Sequence, residues 1–160
     1  RVKLGAAGKV ISSFDIARLM ALGADWCNSA RGFMFALGCI QAQACHTGHC
    51  PTGVTTQDPQ RQKALVVQTK AERVWRFHEQ TLEALKEMVQ AAGLKHPNEI
   101  SARHIVRRTG EQEVKLLANL LPFVKPGALL AAMHGEADWP HNVYRVYWPQ
   151  SSSQTWQLVS

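Results

Sequence analysis

The sequence predicts an α/β fold built on a parallel strand–helix–strand unit, followed by a mainly helical extension. Three observations carry this expectation. A short apolar strand, an amphipathic helix and a second short strand follow one another within residues 2–28. A stretch of helical period then covers residues 63–92. Between them lies a loop with three cysteines in twelve residues, Cys39, Cys45 and Cys50.

The elements follow in chain order. Val2 to Ala6 reads as a strand that ends at the Gly8-Lys9 turn. Ser12 and Ser13 can cap the helix behind it, because a serine hydroxyl accepts from a free first-turn amide. Phe14, Ile16, Ala17, Leu19, Met20 and Leu22 supply its apolar side, and Gly23 suits the left-handed residue that closes a helix. Ala24 to Asn28 is a second strand. Two parallel strands joined through a helix cannot cover both their faces or their open edges, so the unit demands a larger sheet or barrel.

Arg31 to Leu37 reads as a short helix, and the cysteine loop runs on to about Gln60. Ala71, Val74, Trp75, His78, Leu82, Leu85, Val89 and Ala92 recur at helical spacing within residues 63–92, and Gly93 ends that helix. Helices are expected at Ser101–Arg108, capped by Asn98 or Ser101, and at Glu113–Leu121, before Pro122 and Pro126-Gly127. From His134 to Ser160 the composition is rich in Trp, Ser, Gln and Pro without period, which predicts an extended surface tail.

The bulk numbers set limits on function. With 160 residues, 46% hydrophobic and 19% charged, the composition is that of roughly one globular domain. No apolar run approaches the ~20 residues of a membrane span. The first residues lack the order of a signal peptide, so a cytoplasmic protein is expected. A chain that opens on Arg1 fits a truncated sequence. The net charge of +6 is scattered, dense only at Arg103-His104-Ile105-Val106-Arg107-Arg108. No aromatic residues interleave it, so a nucleic-acid partner is not expected. Four cysteines in an unexported chain point to metal or redox chemistry rather than disulfides. Cys27, apart from the others, reads as a buried strand residue.

Two turns look built for an anion. Each follows a parallel strand and opens the next helix, where free backbone N–H groups point outward. Gly5, Gly8 and Lys9 form the first, and Ser29-Ala30-Arg31-Gly32 the second. In (β/α)8 barrels a phosphate is often held by the loops after the last two strands, with a short extra helix at the second. The order here is the same. Lys9 and Arg31 can pair with a phosphate or serve as solvated turn charges.

The cysteine loop is the sharper signal. Gaps of five and four residues let one loop wrap round a cluster and present three sulfurs, and thiolates suit iron–sulfur clusters or zinc. Pro51 after Cys50 matches the proline that follows a cluster cysteine in small ferredoxins. Zinc, completed by His46 or His49, is the competing reading, although structural zinc sites usually use tighter cysteine pairs.

Several stretches resemble the FMN-binding glutamate synthase family. They are Gly8-Lys9-Val10-Ile11, Phe14-Asp15-Ile16-Ala17-Arg18, Leu22-Gly23-Ala24-Asp25, Asn28-Ser29-Ala30-Arg31 and Phe35-Ala36-Leu37-Gly38-Cys39-Ile40-Gln41. Further along are Cys45-His46, Cys50-Pro51-Thr52-Gly53-Val54, Thr56-Gln57-Asp58-Pro59, Lys70-Ala71-Glu72-Arg73-Val74 and Pro126-Gly127-Ala128-Leu129-Leu130.

The resemblance implies a C-terminal fragment of a (β/α)8 TIM barrel, its last two strands, followed by a mainly helical extension. It divides the chain into residues 1–95, with an iron–sulfur loop at 38–60, and an extension with tail at 96–160. Cys39, Cys45 and Cys50 would ligate a [3Fe-4S] cluster, and Gly8, Lys9, Ala30 and Arg31 would hold the phosphate of FMN. The implied enzyme is an oxidoreductase that reductively aminates 2-oxoglutarate to glutamate, with ammonia or an amine donor and electrons from ferredoxin or an NAD(P)H-linked partner. A homo-oligomer is compatible with it. The upstream strands that would contact the flavin ring and 2-oxoglutarate are absent from these residues, so the fragment alone is expected to be inactive. Two alternatives stay open. One is a zinc-stapled binding module. The other is a phosphate-binding barrel enzyme, of IMP dehydrogenase type, with Cys45 as nucleophile.

Overall fold

The computed structural model describes residues 2–150. Among the described residues the fold is mixed α/β with two small two-stranded sheets, and the chain divides into two compact units, residues 1–105 and 106–160.

The first unit opens with β1 (Gly5–Ala6), α1 (Ser13–Ala21) and β2 (Trp26–Cys27). The strands pair in parallel, Gly5 opposite Trp26 and Ala6 opposite Cys27. The Asp25 carboxylate fixes their start by accepting from the Leu4 amide (2.9 Å) and from Lys3 Nζ (3.1 Å). The strand–helix–strand unit expected from the sequence is present, with strands shorter than the apolar runs. A reciprocal pair of bonds starts α1. The Ser12 hydroxyl accepts from the Asp15 amide, and the Asp15 carboxylate accepts from the Ser12 amide. That satisfies two orphan donors at once. The amides of Ser12 and Ile11, together with the Ser12 hydroxyl, hold the Asp15 carboxyl below its usual pKa, the Ser12 amide first. Gly23 closes the turn in the left-handed region, as expected.

Next come α2 (Ala30–Leu37), the cysteine loop, a single helical turn α3 (Pro59–Gln62) and the 25-residue α4 (Val67–Ala91). The long helix starts later than residue 63 because Asp58 accepts from the Gln60 amide and caps a separate turn at Pro59. The chain then bends again before Val66. Packed against both α1 and α2, α4 is the spine of the unit. Its contact with α2 is close. A Cβ on Gly32 would stand 2.7 Å from the Phe77 ring, so only glycine lets the helices approach. Phe33 meets Phe77 edge-on at 5.3 Å. Leu85 and Val89 are buried as expected, but Trp75 on the same stripe is 61% exposed. The core of this unit is Val10, Ala17, Met20, Ala21, Ala36, Leu85, Val89, Ile100 and Ile105.

From residue 101 onward the structure corrects the sequence reading. Residues 101–108 are not a helix: the Ser101 amide donates to His104 Nδ1, closing a local turn. Val106–Arg108 then forms β3, antiparallel to β4 (Val114–Leu116). The helix expected at 113–121 shrinks to α5 (Leu117–Leu120). Two short helices follow, α6 (Ala128–Met133) and α7 (Asn142–Tyr147). The second of these replaces part of the expected extended tail, where His141 accepts from the Val143 amide and starts a turn. The rest of that expectation, residues 151–160, lies outside the described residues. Among the described residues no helix is long and apolar enough to cross a membrane.

Candidate functional site

Both anion turns lie at the same end of the parallel pair, since each follows the C-terminal end of its strand. Gly8 and Lys9 both take left-handed backbone, φ 102° and 57°. Among the described residues neither amide donates to another group. The second turn leads into α2, whose N-terminal residues are Ala30 and Arg31.

Ser29 occupies the capping position of α2 but caps nothing. Its hydroxyl donates instead to the Val10 carbonyl at 2.8 Å. That bond ties the second turn to the first, and it leaves the first amides of α2 without a side-chain partner. Helix-end amides of this kind carry partial positive charge and suit an anion. Val10 is 2% exposed, so the tie is anchored in the core. The sequence reading placed Ser29 in the turn without giving it this role. Its acceptor lies 19 positions away along the chain, so no local sequence signal marks the bond.

The cysteine loop starts at the other end of α2, where Gly38 takes φ 107° and closes the helix. Cys39 follows, and its sulfur accepts from the Gln41 amide at 3.5 Å. Cys45 opens one turn of tighter helix and is exposed. Cys50 is buried, with its sulfur 3.5 Å from the Thr52 hydroxyl. The Thr52 hydroxyl, then the Thr55 and Thr52 amides, pull the Cys50 thiol down to about 6. The Thr55 hydroxyl adds least, as its Oγ1 is buried without a hydrogen bond of normal geometry. Donors aimed at sulfur favour the thiolate, the form that ligates metals.

Side chains bonding back to the main chain hold the loop. Thr47 donates to the Ala44 carbonyl at 2.8 Å, and Thr56 donates to the Gly48 carbonyl. Gln62 Nε2 reaches the Thr56 carbonyl at 2.9 Å and Arg61 the His49 carbonyl at 3.4 Å. Gly53, at φ 77°, packs its α-carbon where a Cβ would collide with the Arg61 carbonyl.

The donor set therefore fits a soft metal or an iron–sulfur cluster in its chemistry: three thiols, two of them with a hydrogen-bonding group at sulfur and one with its pKa pulled down to about 6. Among the described residues, however, no three His, Cys, Asp or Glu side chains are gathered closely enough to hold a metal ion. The loop carries the donors without drawing them together. His46 and His49 are both exposed, and His49 joins the loop network through its amide and carbonyl.

The conserved region of glutamate synthase matches residues 1–95, the span that contains both turns and the whole cysteine loop. The chain belongs to the glutamate synthase family. It is 42% identical over 121 residues to the glutamate synthase large subunit-like protein YerD of Bacillus subtilis (strain 168), covering 76% of this chain and 23% of that protein. An NADH glutamate synthase of Schizosaccharomyces pombe (strain 972 / ATCC 24843) is 30% identical over 150 residues, 90% of this chain and 7% of the relative. An archaeal-type NADPH glutamate synthase of Thermotoga sp. (strain RQ2) is 32% identical over 114 residues, 69% of this chain and 22% of the relative. The chain thus spans about a quarter or less of these glutamate synthases. No solved structure gives a significant match.

Proposed function

We propose that this chain is the phosphate-holding and cluster-holding part of a glutamate-synthase-type oxidoreductase. The observation that carries the proposal is the buried Cys50 sulfur, 3.5 Å from the Thr52 hydroxyl and with its pKa pulled down to about 6 by that hydroxyl and the Thr55 and Thr52 amides, at the close of a three-cysteine loop. Nucleophilic or metal-binding cysteines need such donors; inert buried ones do not.

In this reading Cys39, Cys45 and Cys50 ligate a [3Fe-4S] cluster, which supplies one-electron transfer. Metal binding is coupled to ordering of the ligand loop, so loading is expected to bring the three sulfurs together. Amides on Cys39 and Cys50 stabilise the charge that gathers on sulfur. The amides of Gly8, Lys9, Ala30 and Arg31 hold the phosphate of FMN, with the Ser29 tie fixing the two turns relative to each other. β1 and β2 are the last two strands of a (β/α)8 barrel. Their two-residue pairing and the exposed side chains of Val2, Leu4 and Trp26 support that reading, since such a pair needs neighbours to cover it. Residues 1–95 are then barrel and loop, and residues 96–160 an appended extension.

The complete protein reductively aminates 2-oxoglutarate to glutamate in the cytoplasm. It takes nitrogen from ammonia or an amine donor and electrons from ferredoxin or an NAD(P)H-linked partner. Residues that touch 2-oxoglutarate lie on other strands.

Anaerobic purification followed by iron, acid-labile sulfide and flavin analysis tests this. Iron with sulfide and bound flavin are expected, and single Cys39→Ser, Cys45→Ser and Cys50→Ser variants should each lose iron. One zinc and no iron would overturn the reading in favour of a stapled module. Loss of turnover confined to Cys45→Ser, in a protein without iron, would assign a cysteine nucleophile instead.

A further inference from the structure

α4 carries four cationic side chains, Lys70, Arg73, Arg76 and Lys86. Two are accounted for on the helix itself, where Arg76 pairs with Glu72 and Lys86 with Glu83. Among the described residues, Lys70 and Arg73 form no ion pair. Spaced three apart, they share one face of the helix, and that face is turned to the end of α2. A Cβ on Gly38 would stand 3.0 Å from Lys70 Nζ and 3.9 Å from Arg73 Nη1. Two cations without counter-charges therefore converge on the residue that precedes Cys39. The FMN-phosphate turns are at the opposite end of α2, so this is a separate concentration of charge.

A helix C-terminus attracts cations in its own right. Here the Gly38 and Cys39 amides already take the Phe35 and Met34 carbonyls, leaving less of that end to neutralise. What does lack a counter-charge is the loop beyond it, where three thiolates would accumulate negative charge around a cluster. One added electron makes that charge more negative by one, with no bond formed or broken. Nearby positive charge therefore favours the reduced form, and net charge around a cluster is one of the levers that set its potential.

We propose that Lys70 and Arg73 tune the cysteine-loop cluster, raising its reduction potential by placing paired positive charge at the Gly38–Cys39 corner. This rests on the cluster reading above. The test is a potentiometric titration of the cluster-loaded holoenzyme, following the EPR signal of the oxidised cluster, with iron content measured on each sample. The Lys70→Met/Arg73→Met double variant should reduce about tenfold less favourably, a midpoint lower by ~59 mV for a one-electron couple. Lys70→Arg, which keeps the charge, should stay near wild type. If the double variant does not load, Lys70→Met and Arg73→Met are titrated singly, each expected to shift less in the same direction. An unchanged midpoint in loaded variants overturns the proposal, and a lowered melting temperature with that unchanged midpoint assigns the pair to the end of α2. Wild-type holoenzyme without iron removes the cluster reading, and this proposal with it.

Discussion

The cysteine loop and the β3–β4 hairpin are both irregular in sequence, yet they are built in opposite ways. The loop between α2 and α3 has no ladder. Thr47, Thr56, Asp58 and Gln62 bond back to the nearby main chain, and Cys50 and Gly53 are buried beneath them. The strands of the hairpin pair through a ladder, with Val106 opposite Leu116 and Arg108 opposite Val114, and its strand residues are exposed throughout. Among the described residues its side-chain bonds gather only around its turn, from Arg108 to the Glu111 carbonyl and from Thr109 and Lys115 to Glu113. A loop held by its own side chains is fixed by residue identity. A hairpin held by main-chain pairing is fixed by register, and most of its side chains are free to vary.

Substitutions can break or sharpen this contrast. The largest effect is expected at Gly53→Ala. It puts a Cβ into the Arg61 carbonyl and forces a left-handed backbone on a residue that resists it. Strain and overpacking together cost about 3 kcal/mol, which a shifted denaturation midpoint would register. If Gly53→Ala is no worse than a hairpin substitution, the contrast fails.

A middle effect is expected from the reciprocal cap of α1, built like the loop from side chain and main chain. Ser12→Ala should cost about 1 kcal/mol. Its partner adds a pH signature. The Asp15 pKa lies below the usual carboxylate value in the folded chain, so the carboxylate's contribution is complete above about pH 4 and is lost as the pH falls further. Asp15→Asn should flatten that acid limb, visible as a denaturation midpoint that varies less with pH below 4. The smallest effect belongs to the hairpin. Val114→Ala, at a side chain 60% exposed, should change stability by no more than about 0.5 kcal/mol. A cost above 2 kcal/mol would mean that the strand faces are packed.

The same contrast explains what could be read from the sequence. Ser12, Gly23 and the apolar stripe of α1 each act over three or four residues, so the order and type of elements in the first strand–helix–strand unit were legible, though its strands pair over only two residues each. The cysteine spacing was equally plain, although the bonds its threonines make were not. The hairpin was not, because Val106 meets Leu116 across ten positions of sequence, and Ile105, Val106 and Leu116 read equally well as helix or strand. The late start of α4 was hidden for a local reason, since Asp58-Pro59 spends one helical turn before Val67. The Ser29 tie and the convergence of Lys70 and Arg73 on Gly38 could not be read at all. Both are contacts between elements that are distant in sequence.

One consequence follows from the brevity of the β1–β2 pairing. Two hydrogen-bonded residues per strand, flanked by the bare side chains of Val2, Leu4 and Trp26, leave a sticky template for any extended chain that drifts past. Produced by itself at high concentration, this polypeptide should clump through that edge. Co-expression with the further barrel strands proposed above should restore solubility.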